Sequence, residues 1–182
     1  MSSPFQKLAF LIVDDNANMV KIVRAVLKSF GVVHIYEAFS VAEALTLVRD
    51  YAIDIVMLDY QLGDMDGIDF INLIRQAEDS PEPCLPIIML TAHTEKHRVH
   101  AARDAGVTKF CCKPVTAFEI YRKIVEVIER PRVFVRCPDY FGPNRRRRED
   151  PHFSGPERRL ATERAVARRS GATPETGARL AI

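Results

Sequence analysis

Five residues in this chain have the types and spacing to do chemistry together: Asp14, Asp15, Asp59, Thr91 and Lys113. Three carboxylates brought into one pocket repel one another and need a cation to stay ionised. Asp14, Asp15 and Asp59 offer oxygen only, and hard oxygen donors with few protein contacts suit Mg²⁺. Lys113 adds a second positive charge. A carboxylate held between a metal and an ammonium is a poor acid and a competent nucleophile toward phosphorus. The same two cations would neutralise charge on a phosphoryl group in transfer, and Thr91 can donate its hydroxyl to a phosphoryl oxygen.

What would bring them together is their position on apolar runs. Asp14-Asp15 follows Leu8 to Val13, Asp59 closes Ile53 to Leu58, Thr91 closes Ile87 to Leu90, and Lys113-Pro114 follows Lys109 to Cys112. Short apolar runs rich in β-branched residues read as buried strands. Each reactive residue sits at a strand's C-terminal end, and in an open parallel sheet those ends share the ligand-binding edge.

Between the runs the period becomes helical. Asn18 to Phe30 places Met19, Ile22, Val23, Val26, Leu27 and Phe30 on one face, with Gly31 as a stop. Val33 to Ala38 reads as another strand. Ser40 to Glu43 and Thr116 to Glu119 read as capping boxes. The first opens a helix through Leu45 and Val48; the second opens one whose expected buried face is Phe118, Tyr121, Val125 and Ile128. Helices are also expected around Phe70, Ile71, Leu73 and Ile74, and from Lys96 to Ala105 before Gly106. Five strands alternating with five helices imply an α/β, doubly wound, five-stranded parallel sheet of flavodoxin-like type.

The chain has 182 residues, 47% of them hydrophobic and 27% charged, with a net charge of +2. These are the proportions of a globular protein. No run approaches the roughly 20 apolar residues of a membrane span, and the N-terminus lacks a secretory layout, so no membrane role and a cytoplasmic location are expected. The four cysteines, Cys84, Cys111, Cys112 and Cys137, show no zinc or redox spacing; Cys111 and Cys112 should face opposite sides of a strand. Charge is uneven: residues 1–131 sum to −4 and residues 132–182 to +6. A boundary is therefore expected near Pro131, with an Arg-rich, mostly irregular extension from 132 to 182. Within it Val133 to Val135 reads as a short strand, and 157–169 as a short helix.

The fragments Leu11 to Asp15, Asp54 to Asp59, Gly63-Asp64-Met65-Asp66-Gly67, Leu90-Thr91-Ala92 and Cys112-Lys113-Pro114 together resemble the receiver domain of two-component response regulators, over residues 8 to about 130. The resemblance implies that Asp59 accepts phosphate from a histidine kinase or histidine phosphotransfer protein. It implies that Asp14, Asp15, Asp59 and the Gln61 backbone carbonyl hold Mg²⁺, and that Thr91 and Lys113 contact the phosphoryl group. Phe110 and Thr91 occupy switch positions, and Gln61 and His93 occupy positions that tune phosphate lifetime. The Lys113-Pro114 bond is expected to be cis. Such a protein is no enzyme in the ordinary sense, although it takes part in its own phosphorylation and dephosphorylation. It would signal through protein contacts to a downstream target.

Asp64 and Asp66 read as loop residues with no ligand role, and His97 and His100 as surface histidines. The Arg145 to Arg148 run admits a rival reading, a regulator whose basic tail binds nucleic acid. No helix-turn-helix or zinc pattern accompanies that run, which leaves the rival the weaker reading. Phe134, Tyr140 and Phe141 favour an extension that docks on a receiver surface, a partner or a second copy in a homodimer.

Overall fold

The computed structural model describes residues 3–63, 65–92, 96–138 and 140–145, together with the backbone of 161–164. Five strands form the central sheet: β1 (Ala9–Val13), β2 (His34–Ala38), β3 (Ile55–Asp59), β6 (Ile87–Thr91) and β7 (Lys109–Cys112). Their order is β2-β1-β3-β6-β7, and every pairing is parallel. The crossovers are α1 (Ala17–Ser29), α2 (Val41–Asp50), α3 (Gly67–Gln76) and α4 (Lys96–Ala105), and α5 (Ala117–Glu129) follows the last strand. A short ladder, β4 (Gln61–Leu62) with β5 (Met65–Asp66), sits in the loop after β3.

Strand alternation divides the core in two. Leu11, Val13, Val56 and Leu58 face a cluster built with α2, α3 and α4. Phe10, Ile12, Ile55 and Met57 face α1 and α5. With helices on both faces, β3 and β6 are buried at every position, which is why both read as continuous apolar runs. Cys111 is buried and Cys112 exposed, as their alternation requires.

Helix starts follow side-chain caps. Asn16 accepts from the Asn18 and Met19 amides, Ser40 from Glu43 and Thr116 from Glu119. Neither expected capping box is completed. Glu43 accepts from the Phe39 amide at 2.7 Å, one residue before the cap, and Glu119 pairs with Arg122 at 3.0 Å. The complete box is Asp66 with Asp69 at the start of α3, so Asp66 is a helix cap rather than a plain loop residue.

Three further sequence expectations are corrected. On α5 the buried face is Ile120, Ile124 and Val127, whereas Phe118 is 72% exposed and Tyr121 43%. This helix is apolar on two adjoining stripes, and periodicity alone does not say which one meets the sheet. On α1 Val20 is buried and Ile22 is 48% exposed, for the same reason. Of 157–169 only residues 161–164 are among the described ones, and Ala161–Arg164 is a strand, β10, rather than part of a helix.

The extension begins with order. β8 (Val133–Cys137) pairs antiparallel with β9 (Tyr140–Pro143) on one side and with β10 on the other. The expected strand at Val133 to Val135 is thus the centre of a three-stranded sheet. Phe134, fully buried, packs with Phe141 and Cys84. It also covers Arg75, whose guanidinium lies 5.0 Å from the ring centroid. Arg75 is 2% exposed and donates to the carbonyls of Pro83 and Leu85, both at 2.7 Å, and of Gly106 at 3.2 Å. Burial lowers its pKa to about 10, so it stays charged at neutral pH. Gly106 ends α4 at φ +108°, and its missing Cβ leaves room for the Arg75 stem and the Phe141 carbonyl.

The extension should therefore contribute to receiver stability. Phe134→Ala is expected to lower the unfolding free energy by about 3 kcal/mol in urea melts of the full chain. An unchanged midpoint would mean that the β8–β9 hairpin adds nothing to the fold.

Candidate functional site

Parallel strands β1, β3, β6 and β7 end on one edge, and their last or following residues are Asp14-Asp15, Asp59, Thr91 and Lys113. Carboxylate oxygens of Asp14, Asp15 and Asp59 lie within 4.8 Å of one another. The Lys113 ammonium reaches Asp59 at 2.8 Å and Asp14 at 3.4 Å. All four charged groups predicted from sequence therefore meet.

Each is held by backbone. The Lys113 amide donates to the Thr91 carbonyl at 2.8 Å, which locks the end of β7 to β6. The Lys113-Pro114 bond is cis, as expected. Asp14 accepts from the Asn16 amide at 2.9 Å, and its own amide donates to Ala38. Asp59 accepts from the Tyr60 amide at 2.8 Å. The Gly63 amide donates to Asp15 at 2.9 Å, drawing the loop after β3 over the acidic cluster. In that loop Gln61 pairs with Asp66 across the β4–β5 ladder. Thr91 is buried at the end of β6. Phe110 is half-buried on β7, opposite Met89 in register, and packs against the α2–α3–α4 side of the core. His93 lies outside the described residues.

Gly67 is a residue whose role sequence reasoning passed over. A Cβ there would collide with the Asp59 carbonyl oxygen. The glycine that closes Gly63 to Gly67 thus lets the start of α3 approach the backbone of Asp59. The spacing Asp59 to Gly67 was visible, but the steric need for glycine was not.

Burial pushes the Asp14 carboxyl above its ordinary pKa, and the neighbouring Asp59 charge pushes the same way; the Asn16 amide and Lys113 offset only part of this. Burial alone would lower the Lys113 pKa. The hydrogen bond and charge of Asp59, followed by the charge of Asp14, outweigh it and raise the pKa instead. Three acids against one lysine leave the cluster short of positive charge. Oxygen donors of this kind, with Asp15 exposed at the rim, fit a hydrated Mg²⁺.

Residues 10–125 match the response regulator receiver domain family. The chain belongs to that family. Chemotaxis protein CheY-3 of Vibrio cholerae is 32% identical over 125 residues, which are 69% of this chain and 95% of that protein. The receiver domain of Ssk1 from Saccharomyces cerevisiae, solved together with the histidine phosphotransfer protein Ypd1, superposes with a TM-score of 0.60 at 26% identity. That match covers 67% of this chain and 89% of Ssk1's. The receiver domain of a sensor histidine kinase of Pseudomonas aeruginosa shares the fold, with a TM-score of 0.59 at 24% identity, covering 65% of this chain and 95% of that one. It was solved with magnesium coordinated in its active-site cleft. The protein is a two-component response regulator, a phosphoacceptor rather than an enzyme in the ordinary sense. No helix among the described residues is long and apolar enough to cross a membrane.

The raised Asp14 pKa has a consequence for stability. The folded receiver binds that proton more tightly than the unfolded chain, so stability falls as pH climbs from the ordinary 3.8 through the higher folded value. Asp14→Asn is therefore expected to melt higher than wild type at neutral pH in EDTA. The two should converge below the ordinary carboxylate range, and millimolar Mg²⁺ should narrow the gap by stabilising wild type alone. Thermal melts at several pH values check this; a variant that melts lower at neutral pH in EDTA would contradict it.

Proposed function

We propose that Asp59 is the phosphoacceptor of this response regulator. The observation that carries the reading is the Asp59 carboxylate 2.8 Å from the Lys113 ammonium, with Asp14 and Asp15 gathered beside it. An Asp59 oxygen attacks phosphorus in line with the phosphorus–nitrogen bond of a phosphohistidine. That bond breaks, the imidazole leaves with its electron pair and takes a proton, and an acyl phosphate remains on Asp59. Lys113 balances charge on the transferred group and keeps the Asp59 oxygen oriented. Asp14, Asp15, Asp59 and the Gln61 carbonyl would hold Mg²⁺, which supplies the further positive charge that phosphoryl oxygens need.

The donor is a histidine kinase or a histidine phosphotransfer protein, acting in the cytoplasm. Phosphate on Asp59 favours a state in which Thr91 contacts the phosphoryl group and Phe110 turns inward. It does so only by the difference in contacts between the two states. Gln61 and His93 set how quickly water hydrolyses the acyl phosphate. Residues 1–131 form the phosphoacceptor domain and residues 132–182 its extension, which serves as a partner or homodimer arm.

Incubation with phosphoramidate and Mg²⁺ tests the assignment. Wild type should gain one phosphoryl group by intact-mass measurement. Asp59→Asn should lose labelling by at least about two orders of magnitude, and Lys113→Ala or EDTA by about one or more. A variant lacking Asp59 that labels like wild type would end the proposal.

A further inference from the structure

The helices are not held to the sheet equally. α1, α2, α3 and α5 each bury two or more Val, Leu, Ile or Phe side chains. The buried residues of α4 are two alanines, Ala102 and Ala105. Burial stabilises in proportion to apolar area, so α4 is the most weakly anchored of the five. Little in its own sequence fixes where it sits.

The β8–β9 hairpin supplies the missing hold at one point, the turn that ends α4. β9 lies against both α3 and α4. Gly142 of β9 meets Gly106 backbone to backbone: a Cβ on Gly142 would come within 3.0 Å of the Gly106 Cα. Arg75 of α3 donates to the Gly106 carbonyl at 3.2 Å, and Phe134 of β8 covers its guanidinium. Arg145, just past β9, reaches the Asp104 carboxylate at 3.3 Å and stacks 4.1 Å from the Tyr140 ring centroid. The last turn of α4 is thus gripped between a buried arginine and the hairpin. The hairpin lies beyond residues 10–125, so membership of the receiver family does not account for this grip.

The same turn meets Phe110 from inside. That half-buried ring packs against the cluster that holds Ala102, Ala105 and Val107, and the last two flank Gly106. Close-packed cores have no spare room for a ring. An inward turn of Phe110 therefore requires the end of α4 to shift, and the hairpin holds that end in the arrangement where Phe110 is only half-buried.

We propose that the β8–β9 hairpin is a latch on α4 that opposes the phosphorylated state, so that phosphate on Asp59 loosens the hairpin and a loosened hairpin favours phosphate on Asp59. This rests on the reading of Asp59 as phosphoacceptor and of Phe110 as the ring that turns. The two effects are one coupling free energy seen from two sites, so they are reciprocal. A hairpin that only stabilised the fold would show neither.

Hydrogen exchange on the full chain with Mg²⁺, with and without beryllofluoride as a stand-in for the phosphoryl group, reads one side of the coupling. Amides of β8 and β9 should exchange about fivefold or more faster with beryllofluoride. Asp59→Asn should show no such change. Beryllofluoride affinity, followed by fluorine NMR, reads the other side. Gly142→Val, whose methyls press on Gly106, should bind about fivefold or more tighter than wild type. Phe134→Ala, which uncovers Arg75, should also gain affinity. Leu27→Ala, a buried change on α1 across the sheet, should alter affinity less than about twofold. Hairpin exchange unchanged or slowed by beryllofluoride, wild-type affinity in both hairpin variants, or an equal gain in Leu27→Ala would each overturn the latch alone. A wild type that takes neither beryllofluoride nor a phosphoryl group from phosphoramidate would overturn the phosphoacceptor reading and the latch with it.

Discussion

Everything at the sheet edge depends on one electrostatic constraint: three carboxylates are held together against their own repulsion. Asp14 and Asp59 are both largely buried, with oxygens no more than 4.8 Å apart. Two unit charges at that spacing repel by on the order of 3 kcal/mol at an effective dielectric of about 20. Lys113 offsets part of that, and backbone amides of Asn16, Tyr60 and Gly63 offset more. A lysine that spends its charge on two acids at once leaves the cluster net negative and receptive to a further cation. The repulsion thus suits the cluster to a further cation and is not a defect of the fold.

The sheet exists in the form that this constraint needs. Parallel pairing from β1 through β3 and β6 to β7 puts each strand's C-terminus on the same edge, so positions separated by about a hundred residues meet within hydrogen-bonding distance. Burial on both faces makes the platform rigid. Gly67 lets the first turn of α3 sit against the carbonyl of Asp59. The edge is therefore set by β-sheet register and close packing rather than by the loops themselves.

The strands and their reactive ends were legible because doubly covered parallel strands are apolar throughout and stop where a polar residue is needed. Asp14, Asp15, Asp59 and Lys113 all landed where those ends placed them. What was not legible depended on which of two faces meets the sheet. On α5 the stripe through Phe118 and Tyr121 is as apolar as the stripe through Ile120 and Ile124, and only the three-dimensional packing selects the latter. The same holds for Ile22 against Val20 on α1. Arg75 was invisible for another reason. A buried arginine satisfied by three backbone carbonyls and covered by Phe134 involves contacts beyond its own helix, as far along the chain as Phe134, and no local pattern encodes them. The extension read as basic and irregular because the strands described in it are short and are anchored by two aromatics, Phe134 and Phe141, rather than by a periodic apolar face.

The central claim is that the acyl phosphate forms on Asp59 and nowhere else among the gathered acids. Borohydride reduction of the phosphorylated chain converts an aspartyl phosphate to homoserine, which peptide mass spectrometry locates. The account predicts homoserine at Asp59, in the peptide spanning β3, with Asp14 and Asp15 unmodified. Homoserine at Asp14 or Asp15, or phosphate retained on a side chain away from this edge, would contradict it.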